Sequence, residues 1–231
     1  MAYPNVAFWS ALRTGRCTIT ADCSYVLSLV ECGSLVVPTG RLVACDPFCF
    51  LEQEGNPFII IPPGRYRVVV TLADVSDSSD GSHFREAYAT LIIDEAATEV
   101  TRRIITPLPD GKLCPPEMTI EGDYHGFPVG AGTACFIDGG AVATAMPDCD
   151  WYDELFDNGS SESWFARVDD PAHIQAGIAN IPLPLGKEGE NIVIIHSGWG
   201  DGSYPIVGGY DATDRLVNVH IDFMVVYPES T

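Results

Sequence analysis

Short runs of β-branched and aromatic residues, each stopped by Gly, Pro or Asp, recur along almost the whole 231-residue chain. That spacing suits strands joined by tight turns and leaves little room for helix. The runs fall at 25–30, 34–37, 42–44, 58–61, 66–72, 87–93, 100–106, 132–137, 192–196 and 216–226. Pro62-Pro63-Gly64 must be a turn, because proline has no N–H to give a central ladder. Asp211-Ala212-Thr213-Asp214-Arg215 is a second turn, joining 204–210 to 216–226 as a hairpin. Helix signals are sparse. Asp150 is a good N-cap for the stretch from Trp151 to Phe156, with Asp153 and Glu154 at its positive end and Gly159 placed as a stop. A second short helix is expected over Gly139–Ala145, with Asp138 as its cap. No internal repeat and no dividing linker interrupts the pattern. The expectation is a single domain over 1–231, with 1–24 as an N-terminal extension packed on it. Its class is α+β, predominantly antiparallel β (sandwich or open-barrel-like), with one or two short helices.

Charge limits the partners. Asp and Glu number 32 against 12 Lys and Arg, a formal net charge of −20. Nucleic-acid and anionic-membrane binding both depend on basic patches, so neither is expected. No run approaches the ~18 apolar residues of a membrane helix. The N-terminus lacks the basic and apolar regions of a secretory signal, so a cytoplasmic location is expected. The eight cysteines then read as mostly buried, reduced thiols. Cys45 and Cys49 are the closest pair and lack a matching second pair, so no metal and no cofactor are expected.

Several glycine-framed segments occur in order: Pro38-Thr39-Gly40-Arg41 through Asp46-Pro47, Pro62-Pro63-Gly64-Arg65-Tyr66, and Gly130-Ala131-Gly132-Thr133 through Asp138. Ser197-Gly198-Trp199-Gly200-Asp201-Gly202 follows, with Gly208-Gly209-Tyr210-Asp211 and Ile221-Asp222-Phe223. Together, from Leu29 to Val226, they resemble the bacterial family of unknown function DUF4241. The resemblance implies that these segments belong to one fold, and it implies no activity. This chain carries Gly130 where the resemblance leads one to expect an acidic residue.

Candidate site residues come from the same segments. Asp46, Asp138, Asp201, Asp211 and Asp222 could gather as oxygen ligands or as an acid and base, although Asp46, Asp138 and Asp211 also suit a turn or a cap. His220 and Asp222 lie two apart in a strand and share a face; with Asp201 they are the catalytic candidates. His196 and Ser197 are neighbours and point to opposite faces. Trp199, Asp201, Tyr204 and Tyr210 are ligand-binding candidates, with Arg41 and Arg65 beside turns as further ones. No nucleophile elbow and no phosphate loop is present. The reading is a non-catalytic binding module for a basic protein or a small ligand, in the manner of an immunity or inhibitor protein. The alternative is a small carboxylate- or metal-dependent hydrolase.

Overall fold

The computed structural model describes residues 9–21, 23–114 and 126–227. The first eight residues of the expected N-terminal extension lie outside that range. The strands are β1 (Gly15–Thr18), β2 (Ser24–Val37), β3 (Arg41–Cys45), β4 (Ile59–Ile60), β5 (Gly64–Asp74), β6 (Phe84–Ile92) and β7 (Thr101–Ile105). They continue with β8 (Gly126–Val129), β9 (Thr133–Asp138), β10 (Ile178–Pro182), β11 (Asn191–His196), β12 (Gly202–Tyr210) and β13 (Leu216–Asp222). All ladders among the described residues are antiparallel. The larger sheet runs β1-β2-β5-β6-β13-β12-β7, with β8 on the first part of β12; the smaller runs β10-β11-β9-β3-β4. Both sheets are open. The fold is α+β and mostly antiparallel β.

The two sheets pack face to face. Val68, Val70, Leu91 and Ile221 of the larger sheet share one buried cluster with Leu42, Phe136, Val193 and Ile195 of the smaller. Alternate residues of β9 and β11 (Cys135, Ile137, Ile192 and Ile194) point the other way, into a second cluster under the helices. A strand covered on both faces needs apolar residues at every position, which explains why Ile192–Ile195 is a continuous run. The covering layer is α1 (Pro47–Phe50), α2 (Gly139–Ala145), α3 (Trp164–Asp169) and a π-helical turn at Tyr152–Phe156.

Both expected helices sit where the sequence places them, one with altered geometry. Asp150 accepts from the N–H groups of Tyr152 and Asp153, as a cap should, but the turn that follows is π-helical. α2 has its expected bounds and its Asp138 cap. α3, opened by a Ser163 cap, buries Trp164 and Val168 four residues apart, a helical signal too short to stand out in the sequence. The runs 25–30 and 34–37 prove to be one strand, β2, bulged between Glu31 and Ser34. Gly33 supplies the left-handed φ of +79° that the bulge requires. The backbone groups freed there are met by two amides of the smaller sheet. Asn191 accepts from the Val36 N–H (2.9 Å) and donates to the Ser34 carbonyl (2.8 Å), while Asn180 donates to the Cys32 carbonyl (2.7 Å).

The outer face of the larger sheet is polar and nonetheless buried. Trp9 lies on Tyr88 and His220, at ring separations of 4.9 and 5.0 Å. The Leu12 N–H donates to Thr71 Oγ1 at 3.0 Å, which pins the segment to β5. Trp9, Ala11 and Ile19 thereby join the main core. The eight cysteines are free, but mostly buried is incorrect: Cys32, Cys45 and Cys135 are buried and Cys49 and Cys149 exposed. The last two lie in α1 and in the loop before the π-helical turn, where no second layer covers them.

Candidate functional site

The motif carboxylates divide by what they hold. Asp46 is fully buried and accepts from the N–H groups of Phe48, Gly130 and Ala131 and from Thr133 Oγ1, at 2.7–3.1 Å. Asp138, also fully buried, accepts from the N–H groups of Gly140, Ala141 and Thr39 and from Thr39 Oγ1. A carboxylate has about four lone-pair directions, so both are saturated, each by its own turn together with a facing loop distant in sequence. Gly140 is obligatory there, because a Cβ would collide with the Thr39 side chain. The N–H of Gly130 serves Asp46, and a Cβ there would meet the Cys49 sulfur only at ordinary contact distance, 3.5 Å. Asp211 closes the β12–β13 turn, accepting from Thr213 and Arg215, and those hydrogen bonds, Thr213 foremost, hold its carboxyl below the usual range. Among the described residues no three His, Cys, Asp or Glu side chains gather to hold a metal.

His220 and Asp222 do share a face, as expected, but both are buried, at 1% and 3% exposure. His220 bonds Thr90 Oγ1 through Nδ1 (2.8 Å) and Glu99 Oε2 through Nε2 (2.8 Å). Asn218 donates to the same Glu99 oxygen at 2.7 Å, and Arg102 pairs with the other. Burial pulls the Glu99 carboxyl upward; His220, Asn218 and Arg102 outweigh that and hold it at about 2. Gly209, directly opposite Asn218, leaves the space Glu99 occupies, since any Cβ would overlap the carboxylate. Glu99, His220 and Asn218 line one wall of a cleft of about 410 Å³. The order Glu99–His220–Thr90 resembles a catalytic relay, yet Thr90 is fully buried and presents no hydroxyl to a substrate. Asp222 accepts from the Met224 N–H at 2.7 Å and shapes the end of β13. Sequence reasoning missed Glu99 and Thr90 because neither lies in a motif; only the glycine pair before Tyr210 hints that something approaches that backbone.

Asp201 belongs to a different neighbourhood. It is exposed, and it accepts from the Gly132 N–H at 3.0 Å, while the Ser197 N–H donates to the Gly132 carbonyl at 2.9 Å. The loops 130–132 and 197–201 are thus zipped together, and Asp201 does not meet His220. Inside the second loop, Ser197 Oγ and the Tyr204 hydroxyl both donate to the Gly200 carbonyl at 2.7 Å. Gly198 and Gly200 have φ of +60° and +101°, and a Cβ on Gly198 would fall 2.7 Å from Val225. The loop is therefore built, and it holds Trp199 outward at 58% exposure with the Arg85 guanidinium 5.3 Å from its ring centre. Tyr204 and Tyr210, expected as ligand contacts, are instead buried: Tyr204 packs on Phe223, and Arg103 covers Tyr210. Arg65 donates to the Glu188 carbonyl and ties down a loop. Arg41 stands over Phe58, 5.3 Å from the ring centre, beside a second cleft.

Beside Gly198 sits Glu86, buried and pushed up to about 7 by burial, against the weaker pull of its own N–H and Arg85. His196 lies across Gly177 from it; a Cβ there would be 2.6 Å from Glu86 Oε1 and 3.0 Å from His196 Nδ1. His196 Nε2 faces Asp169 at 3.2 Å, and burial lowers its basicity despite that partner. Ser197 is turned away from His196, as strand alternation requires.

Two open antiparallel sheets, a partial helical layer and polar motifs engaged by their own turns and by facing loops define a β-rich α+β scaffold. The chain belongs to the family described as Protein of unknown function (DUF4241), whose profile matches residues 35–221. No curated protein and no solved structure matches it. Among the described residues no helix is long and apolar enough to cross a membrane.

Proposed function

We propose that this protein is a non-catalytic binding module that recognises a basic protein through the 197–202 loop. The observation that carries the reading is the exposed indole of Trp199 on a rigid, hydrogen-bonded loop. Aromatic side chains held rigidly lose little entropy on binding and supply much of an interface's energy. Asp201 beside it offers an acceptor, and the net charge of −20 accelerates encounter with a positive partner. The hydrolase alternative has less support, because His220 and Asp222 are buried and engaged, and Asp201 lies elsewhere.

The test is affinity capture with wild-type and Trp199→Ala baits, each checked by thermal melting. The expected result is a basic protein retained by the wild type and lost from a variant that melts at the same temperature. Equal retention on both baits would contradict the assignment. So would hydrolysis of model esters or phosphodiesters abolished by His220→Gln.

A further inference from the structure

The helical layer does not close over the smaller sheet. Between the end of α1, the start of β4, α2 and the π-helical turn lies a cleft of about 530 Å³. Its apolar wall is formed by Phe58, Val142, Met146 and Trp151, with Arg41 above Phe58. Phe58, Val142 and Trp151 are only partly buried, although they pack against the second core. Trp151 is held in place, since its Nε1 donates to the Pro147 carbonyl at 2.8 Å. The rim is acidic: Glu52, Glu54 and Asp148 line it, all exposed. Asp150, Asp153 and Glu154 follow on the adjoining turn, also exposed.

We infer that this cleft docks a short amphipathic segment of a basic partner protein, apolar side chains on the Phe58–Trp151 wall and lysines or arginines on the acidic rim. Charge decides the occupant. Three exposed carboxylates line the rim of the apolar wall, three more lie on the adjoining turn, and Arg41 alone among the lining residues opposes them. An acidic or neutral segment would gain the apolar contact and meet repulsion at the rim, whereas a basic one gains both. Arg41 has no ion pair among the described residues, so its guanidinium is available to a main-chain carbonyl of the entering chain. A segment with apolar residues at helical spacing would lay one face along the groove. The inference takes from the proposed function only the sign of the partner's charge, and it adds a second contact surface.

The probe is a short fluorescent peptide of leucine and lysine at helical spacing, titrated by anisotropy onto the whole protein, with a leucine–glutamate and an all-lysine peptide as comparisons. The account expects the leucine–lysine peptide to bind, to weaken at high salt, and to bind at least about tenfold better than either comparison. Ala143→Arg places a bulky cation at an exposed position on the cleft wall, and it should weaken binding about tenfold or more. Glu52→Gln with Glu54→Gln tests the rim without filling the cleft and should weaken binding in the same direction. Trp199→Ala should leave peptide affinity within about twofold. Absence of binding, equal binding by the all-lysine peptide, or an unchanged affinity in Ala143→Arg and in the Glu52/Glu54 variant overturns the inference. None of those results touches Trp199-dependent capture, and loss of that capture alone would leave the cleft standing.

Discussion

Asp46 and Asp201 lie on facing loops and do opposite work. Asp46 is buried and saturated by four donors, whereas Asp201 is exposed and accepts one N–H. Removing Asp46 would orphan the N–H groups of Gly130 and Ala131, each costing about 1–3 kcal/mol. Asp46→Ala should therefore destabilise the protein by about 3 kcal/mol or more, read as a large fall in melting temperature. Asp201→Asn should shift the midpoint by no more than about 2–4 °C, the effect of ~1 kcal/mol at this size. If the two variants melt alike, the division between structural and surface carboxylates is wrong. The five motif aspartates were visible in the sequence, as was the role of Asp46, Asp138 and Asp211 as turn or cap residues. Their spatial sorting was not, because Asp46, Asp138 and Asp201 take donors from loops distant in sequence. Glu99 was invisible for the same reason, its partner His220 lying 121 residues away.

At the level of elements, the strand periods were legible and the ties between sheets were not. β5, β6, β11 and β13 lie close to their expected positions, since burial on one or both faces leaves its pattern in the residues. The strands β1, β8 and β10 carry weak patterns and were missed. The bulge of β2 depends on Asn180 and Asn191, whose significance arises only once β10 and β11 lie beside it. Asn191→Ala strips the Val36 N–H and the Ser34 carbonyl of partners in a buried place, and should cost about 1–3 kcal/mol. Urea unfolding at unchanged m-value checks this; a loss below about 0.5 kcal/mol would make the tie incidental. Gly209→Ala belongs with it. The added methyl displaces Glu99, so the variant should be destabilised and should lose the low-pH behaviour described next.

For the molecule as a whole, two glutamates, Glu86 buried and Glu99 partly buried, pull stability in opposite directions with pH. Glu99 is held at about 2, below its ordinary 4.5, so the unfolded chain takes up its proton first and stability falls as pH drops from about 4.5 to 2. Glu86 is raised to about 7, so the folded chain keeps a proton that the unfolded one releases, and stability falls as pH rises from about 4.5 to 7. Self-repulsion among the excess carboxylates deepens the second decline. Thermal melts should peak near pH 4.5; Glu86→Gln should flatten the upper limb and Glu99→Gln the lower. A curve unchanged by Glu86→Gln would show that the carboxyl ionises freely. The central claim concerns recognition, and it extends to the whole chain, which we propose folds as one domain around its two sheets. The most direct measurement is the dissociation constant of the captured basic partner for wild type and Trp199→Ala. The account predicts a loss of at least about 2 kcal/mol, more than tenfold, with unchanged melting temperature. Equal affinity for the two proteins would contradict it.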